Sequence, residues 1–259
     1  MPEFAGEPSV AITHGVDMPL IGLGVWQLEL GRETYDAVRA ALDAGYRHID
    51  TAAGYRNEAS VGEAIRDSGL PRKAVFVTTK LRASEEPEAG LARSLDRLGL
   101  EWVDLYLIHS PRGGSGRHWP VLEDQHRRGL ARAIGVSNWS GRGLRDLVAD
   151  AAIPPAVNQI DFSPFSYSRA TVDAHRELGV VLEGYSPLAR GRGLSDPLVA
   201  AIADRHRRSP AQVLIRWSIQ HGVPAIPRSK DPGRIAANRD VFDFSLHDEE
   251  MATLDALGY

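Results

Sequence analysis

Eight short apolar runs, each about the length of one strand, alternate with amphipathic stretches along this chain. The runs are LIGLGVW, RHIDT, AVFVTTK, VDLYLIH, ARAIGVSN, AVNQID, VVLEGYS and VPAIPR. Stretches of helical period lie between them, among them ETYDAVRAALDAG, EASVGEAIRDSG, EPEAGLARSLDRLG and RATVDAHRELG. Strands alternating with helices of this kind build parallel βαβ units. Eight units in 259 residues fit a closed (β/α)8 TIM barrel of the α/β class better than an open sheet. A β-hairpin precedes the barrel: SVAITH, a turn at Gly15-Val16-Asp17, then MPLIGLG. No linker, low-complexity tract or close repeat interrupts the βα alternation, so residues 1–259 read as one domain.

Capping signals agree with these helices. Ser209 is placed as an N-cap, with Pro210 at the first helical position and Gln212 three residues on. Gly222 then stops that helix. Ser245 with Asp248, followed by Glu249 and Glu250, reads as the start of a last helix with acids where the dipole favours them. The run Arg205-His206-Arg207-Arg208 reads as a helix C-terminus, not as a nucleic-acid patch.

Composition narrows the function classes. Lysine and arginine total 30 and aspartate and glutamate 34, so the formal charge is 30 − 34 = −4. A mildly acidic chain argues against a nucleic-acid partner. The absence of cysteine excludes disulfides, thiolate metal sites and cysteine nucleophiles, and it fits the cytoplasm. The N-terminus has no basic segment followed by an apolar one, so no secretion signal is expected. No apolar run approaches the roughly 20 residues of a membrane span. The histidines show no paired spacing, and no metal site is expected. Gly22-Leu23-Gly24 lacks the third glycine of a dinucleotide fingerprint.

Chemistry concentrates at strand ends. Asp50 closes RHID, Lys80 closes AVFVTTK and His109 closes VDLYLIH, while Tyr55 follows Asp50 by five residues in a loop of small residues. Active sites of eight-fold barrels sit at the C-terminal ends of the strands. Adjacent strands would therefore gather these four side chains although tens of residues separate them. A free tyrosine titrates near pH 10, and a lysine ammonium held beside it by Asp50 is expected to lower that value. Tyr55 then becomes a general acid, and His109 orients a carbonyl oxygen. No residue delivers hydride, so a nicotinamide cofactor is required.

GYRHIDTAAGYRNE, VTTK, LIHSP, RAIGVSNW, NQIDFSP, GYSPLA and IPRSK…RIAAN, in that order, resemble the aldo-keto reductase family, in the branch typified by bacterial 2,5-diketo-D-gluconate reductases. The resemblance covers residues 9 to 245. It implies a (β/α)8 barrel that reduces carbonyl groups with NADPH. It implies Tyr55 as proton donor with Asp50, Lys80 and His109 completing a tetrad. Ser137, Asn138 and Gln159 match the positions that hold the nicotinamide carboxamide, and Tyr185 the aromatic that stacks on its ring. Ser186 and Leu188 belong to the same cofactor-lining segment. Arg228, Ser229, Arg234 and Asn238 match the group around the 2′-phosphate and adenine. Trp26 and Trp119 are placed in rim loops as walls of an apolar substrate pocket. The expected partner is a small carbonyl compound, and the expected state a cytoplasmic monomer.

Departures from the family pattern are also legible. Arg228 stands where lysine is common, and Ala237 where glutamate is. NQIDFSP brings Asp161 and Ser163 in place of the more usual residues. The loop PRGGSGRHW is short and glycine-rich, and the sequence stops at Tyr259 without a longer tail, so an open pocket is expected. ARGRGL (189–194) follows the seventh barrel strand, a common phosphate position. Two other readings remain open at this point: a Schiff-base aldolase using Lys80, and a non-catalytic nucleotide-sensing subunit on the same fold.

Overall fold

A computed structural model describes residues 7–82, 85–111 and 116–258. Residues 112–115 of the short glycine-rich loop lie outside that range. A two-stranded antiparallel hairpin, β1 (Ser9–Thr13) and β2 (Val16–Pro19), comes first. Thr13 pairs with Val16, so the turn is His14-Gly15 and not the expected Gly15-Val16-Asp17. Gly15 takes φ 74° there, a region where a Cβ is penalised. Val16 is 5 % exposed, and its burial draws it into the strand.

Eight parallel strands follow: β3 (Leu23–Gly24), β4 (His48–Asp50), β5 (Phe76–Leu81), β6 (Val103–Ile108), β7 (Ala131–Ser137), β8 (Val157–Asp161), β9 (Val181–Tyr185) and β10 (Ala225–Ile226). Each falls within one of the eight apolar runs, except that β5 extends one residue past AVFVTTK to Leu81. They are hydrogen-bonded in chain order from β3 to β10. A parallel bridge between Ile21 and Ala225 joins the two ends of the sheet, with Gly22 N donating to Ala225 O at 2.9 Å and Gly24 N to Pro227 O at 3.2 Å. The glycines of the GLG run belong to this seam. A Cβ at Gly22 would meet His48 Nδ1 at 2.7 Å, and one at Gly24 would meet Ile226 O at 2.9 Å. They are glycines because the sheet closes there.

The helices α1 (Arg32–Asp43), α2 (Glu58–Asp67), α3 (Pro87–Leu98), α4 (Trp119–Arg127), α5 (Gly141–Asp150) and α6 (Arg169–Leu178) each connect successive strands from β3 to β9. Two helices, α7 (Pro197–His206) and α8 (Pro210–Gln220), lie between β9 and β10. After β10 come α9 (Pro232–Arg239) and α10 (Asp248–Asp255). Ser209 caps α8 in a reciprocal box with Gln212, as expected, and α7 ends at His206 with Arg207 left-handed at φ 54°. The last helix starts later than Ser245. His247 N donates to Glu250 at 2.9 Å and supplies the cap, while Ser245 Oγ accepts instead from Arg216 at 3.1 Å.

Alternation along the strands decides what faces the barrel axis. Phe76, Leu105, Leu107, Ala133 and Val157 pack in one apolar cluster with Ile12, Val16 and Met18 of the hairpin. The hairpin thus plugs the end of the barrel where the strands begin. The polar residues that carry chemistry lie nearer the other end, where the strands finish.

Trp119 departs from its expected place. It opens α4, is 2 % exposed and donates its indole N–H to Ile153 O at 3.0 Å. Its ring belongs to the apolar core and its one donor is satisfied, so it packs between α4 and the segment before β8 and does not lie in a rim loop. Trp26, by contrast, follows β3 and is 45 % exposed.

Candidate active site

Asp50 ends β4 and Lys80 lies near the end of β5, both facing inward. The Lys80 ammonium donates to the two carboxylate oxygens of Asp50 at 2.6 and 2.7 Å and to Thr51 O at 3.0 Å. Lys80 is 0 % exposed and Asp50 2 %. Tyr55 ends a single 3-10 turn, Ala53–Tyr55, directly after β4. Its hydroxyl accepts from Lys80 Nζ at 3.4 Å. The ring of His109, on the residue after β6, meets the Tyr55 ring edge-on with centroids 5.6 Å apart. The four residues expected from the strand ends thus share one site.

The loop that holds Tyr55 is itself anchored. Asn57 donates to Val25 O at 2.9 Å and to Leu28 O at 3.2 Å, and accepts from Thr51 Oγ1 at 2.9 Å. Arg56 between them takes φ 62°. Left-handed backbone outside glycine is uncommon, and it gathers where structure is held for function. Among the described residues Gln27, Arg56, Asn138, Ser186, Ala189 and Arg190 all show it, and all lie just past barrel strands.

Electrostatics corrects one expectation. Burial pulls Lys80 down, but Asp50, Tyr55 and Glu183 together outweigh it, and the ammonium is held above its ordinary value. Tyr55 is raised, not lowered: burial opposes the phenolate more than Lys80 favours it. Desolvation, the effect that spacing alone does not reveal, wins. His109 is pulled down to about 4 by burial and then by Lys80, so its imidazole is neutral at pH 7.

A second set of side chains lines the rim. Ser137 Oγ donates to Gln159 O at 2.8 Å. Asn138 donates to His109 O at 3.3 Å and accepts the Tyr185 hydroxyl at 2.8 Å. Gln159 donates from Nε2 to Asp50 at 2.8 Å and to Glu183 at 2.8 Å. Asn138 and Gln159 thus connect to the tetrad directly, and Ser137 and Tyr185 connect through them. Ser186 follows Tyr185 at φ 52°, and Leu188 packs against two apolar clusters. Beside Tyr185 a groove of about 290 Å³ is lined by Asp161, Ser163, Phe165, Ala189, Arg190 and Arg192.

Arg228 and Arg234 are exposed at the start of α9, where Asp231 caps Arg234 N at 2.8 Å and Ser229 Oγ accepts from Asp231 N at 3.1 Å. Asn238 is 5 % exposed on the same helix. Lys230, in the IPRSK run, joins this basic group and ion-pairs with Glu33 of α1 at 2.7 Å. A helix N-terminus with one exposed arginine shortly before it and another in its first turn suits a phosphate. Sequence reading missed Lys230, Asn57 and Glu183. The first two sit inside quoted motifs, and Glu183 is the one acid within the apolar run VVLEGYS.

The fold also brings together three groups whose spacing hid them. His206, His247 and Glu250 place ligand-capable atoms within 4.8 Å of one another. Glu250 is engaged there with His206 at 2.7 Å, Arg205 at 3.2 Å and the backbone of His247.

Residues 20–258 match the model of the aldo/keto reductase family. The chain belongs to the aldo/keto reductase family. It is therefore an oxidoreductase of the carbonyl-reducing class. An aldo-keto reductase of Mycolicibacterium vanbaalenii is 48 % identical, over 99 % of this chain and 94 % of its own length. A glyoxal reductase of Bacillus subtilis is 43 % identical, over 96 % of this chain and 92 % of its own. Among solved structures, the Bombyx mori aldo-keto reductase in complex with NADP superimposes with a TM-score of 0.89 at 34 % identity, covering 97 % of this chain and 93 % of that one. No helix among the described residues is long and apolar enough to cross a membrane.

Proposed function

We propose that this aldo/keto reductase reduces aldehydes and ketones with NADPH, and that Tyr55 donates the proton. The observation that carries the reading is the chain of contacts from Asp50 through Lys80 to the Tyr55 hydroxyl, with His109 against the same ring. The bound nicotinamide supplies the hydride. Tyr55, protonated at neutral pH, gives its proton to the carbonyl oxygen as charge develops there. Lys80 stabilises the phenolate left behind, and Asp50 keeps the ammonium charged and in place. Neutral His109 offers an N–H to the same oxygen and orients it.

The residues present fit that cofactor. Gln159 and Asn138 offer amide groups at the rim, and Tyr185, tied to Asn138 through its hydroxyl, offers an aromatic face for stacking. The exposed Arg228 and Arg234 at the α9 N-terminus suit a 2′-phosphate, which favours NADPH over NADH. The NADP complex of the Bombyx mori neighbour and the glyoxal reductase name of the Bacillus subtilis relative support cofactor and substrate class by analogy.

The aldolase reading needs a lysine that loses its proton easily. Lys80 is held by four acceptors and raised above its ordinary value, which weighs against it. A non-catalytic subunit would have no use for a complete tetrad. The test is NADPH consumption with a panel of aldehydes, α-dicarbonyls and keto-sugars. Turnover with at least one supports the reading, and no consumption with any of them sinks it.

A further inference from the structure

Next to Asp50 and Lys80 in the barrel interior, joined to Asp50 through Gln159, lies a second carboxyl group that the proposed chemistry does not use. Glu183 is 0 % exposed on β9, and its Cα is paired in register with Gln159 on β8. Gln159 Nε2 donates to Asp50 Oδ2 at 2.8 Å and to Glu183 Oε2 at 2.8 Å. Both amide hydrogens are therefore taken by carboxyl oxygens, one from the ion pair and one from Glu183. An ionised carboxylate only accepts, so the bond to Asp50 fixes which end of the amide is NH2. The bond to Glu183 adds a second anchor, and two anchors fix the plane of the amide and the direction of its carbonyl oxygen. Gln159 is itself only 2 % exposed, and no partner among the described residues is recorded for that oxygen.

Packing alone does not account for an acid at this place. Glu183 Oε1 is buried without a hydrogen-bond partner among the described residues, and an unpaired polar atom there carries a desolvation cost that an apolar residue of similar volume avoids. From the strands around it, the titratable groups that face Glu183 are His48 and Asp50 on β4 and Lys80 on β5. His48 Nε2 is 3.8 Å from Oε1 and 3.0 Å from Thr78 Oγ1. Burial, and then the charge of Asp50, push Glu183 up to about 8. Burial, and then Lys80, pull His48 down to about 3. Both shifts favour the uncharged forms, a carboxylic acid beside an imidazole, with β10 and β3 between the strand of Glu183 and that of Asp50.

We propose that Glu183 is a positioning residue, which holds the Gln159 amide plane so that its carbonyl oxygen receives the nicotinamide carboxamide and one face of the ring is presented to the substrate. The proposal rests on the reading of Gln159 as a cofactor contact. The carboxamide NH2 needs an acceptor in one direction only. If the Gln159 carbonyl swings away, that acceptor is lost and the opposite ring face is no longer disfavoured. Asp50 alone holds one amide hydrogen and leaves the plane free to turn.

Two variants separate this role from packing. Glu183→Gln keeps an acceptor oxygen for Gln159 but cannot ionise, and Glu183→Leu keeps bulk and removes the acceptor. The first measurement needs no cofactor. In 15N-labelled protein the Gln159 side-chain amide signals, identified by their loss in Gln159→Glu, are followed from pH 6 to 9. The expected result is slow exchange with solvent for both hydrogens in the unmodified chain and a shift that titrates near pH 8. Glu183→Gln keeps the slow exchange without the titration, and Glu183→Leu loses protection of one hydrogen. The second measurement uses NADPH carrying deuterium on one face of C4. The unmodified chain and Glu183→Gln transfer from a single face. Glu183→Leu transfers a measurable fraction from the other and raises KM for NADPH about fivefold, with KM for the carbonyl substrate changed less than twofold. A folded Glu183→Leu with both amide hydrogens protected, a single reacting face and unchanged KM overturns the proposal. If the unmodified chain consumes no NADPH with any carbonyl, the reading of Gln159 falls and takes the proposal with it, whatever the amide signals show.

Discussion

The Lys80 ammonium sits between the two carboxylate oxygens of Asp50, 2.6 and 2.7 Å away, with both side chains closed off from solvent. A buried ion pair is poor evidence of stability, because desolvation cancels much of the attraction, but removing one partner leaves an uncompensated charge that costs about 3–5 kcal/mol. Lys80→Met is therefore expected to lower the melting temperature and abolish activity. Asp50→Asn leaves the ammonium with neutral acceptors and is expected to be the milder change. The pair is expected to be non-additive. A double variant losing no more activity than Lys80→Met alone is the expected outcome, and independent, additive losses would show that the two act separately.

Tyr55→Phe removes one hydroxyl from a ring that stays packed against His109. Fold and cofactor affinity are expected to survive. The chemical step is expected to slow by about 10²–10⁴, the usual contribution of a general acid. Single-turnover rates with an aldehyde check this, and a near-normal rate removes Tyr55 from the proposed role.

The barrel and the tetrad were legible because both follow from local pattern. Each of the eight barrel strands lies in an apolar run to within a residue, and Asp50, Lys80 and His109 stand at or beside strand ends where the topology gathers them. What escaped depends on partners far apart in sequence. Trp119 reads as a rim residue until Ile153 accepts its indole. The direction of the Tyr55 shift depends on burial, which the ring's neighbours impose. Glu183 is visible as an odd acid in an apolar strand, but its contact with Gln159 appears only once β8 and β9 are in register. Ser245 loses the last helix to His247 because Arg216, on another helix, takes its hydroxyl.

Cofactor choice should follow the basic group at α9. NADPH and NADH differ by one 2′-phosphate, which a guanidinium grips with charge-assisted bonds. Arg228→Ala is expected to raise KM for NADPH about tenfold or more and leave KM for NADH almost unchanged. The preference is expected to weaken with added salt, because the arginines are exposed. An equal response of the two cofactors to the substitution would make Arg228 a rim packing residue instead.

Acid sensitivity is expected from the barrel interior. His48 and His109 are pulled down to about 3 and about 4, in both cases chiefly by burial. Unfolded, each takes a proton near pH 6.5. Between that pH and the folded values the unfolded chain binds more protons, so stability rises with pH there and falls as the solution is acidified. The loss starts below about pH 6.5 and is complete only below about pH 3, the lower of the two folded values. His48 is the deeper of the two and has no place in the proposed reaction, so it isolates the effect. Its Nε2 bond to Thr78 can be replaced by an amide, and His48→Gln is expected to fold. That variant should lose less stability than the unmodified chain between pH 7 and pH 5, in denaturant titrations at the two values. His109 contributes a separate expectation from the same sign. Because it stays neutral down to about pH 4, the rate of carbonyl reduction should show no inflection near pH 6.5. A step there, retained in His48→Gln and lost in His109→Gln, would mean that His109 titrates as an exposed imidazole and does not present a fixed N–H to the substrate oxygen.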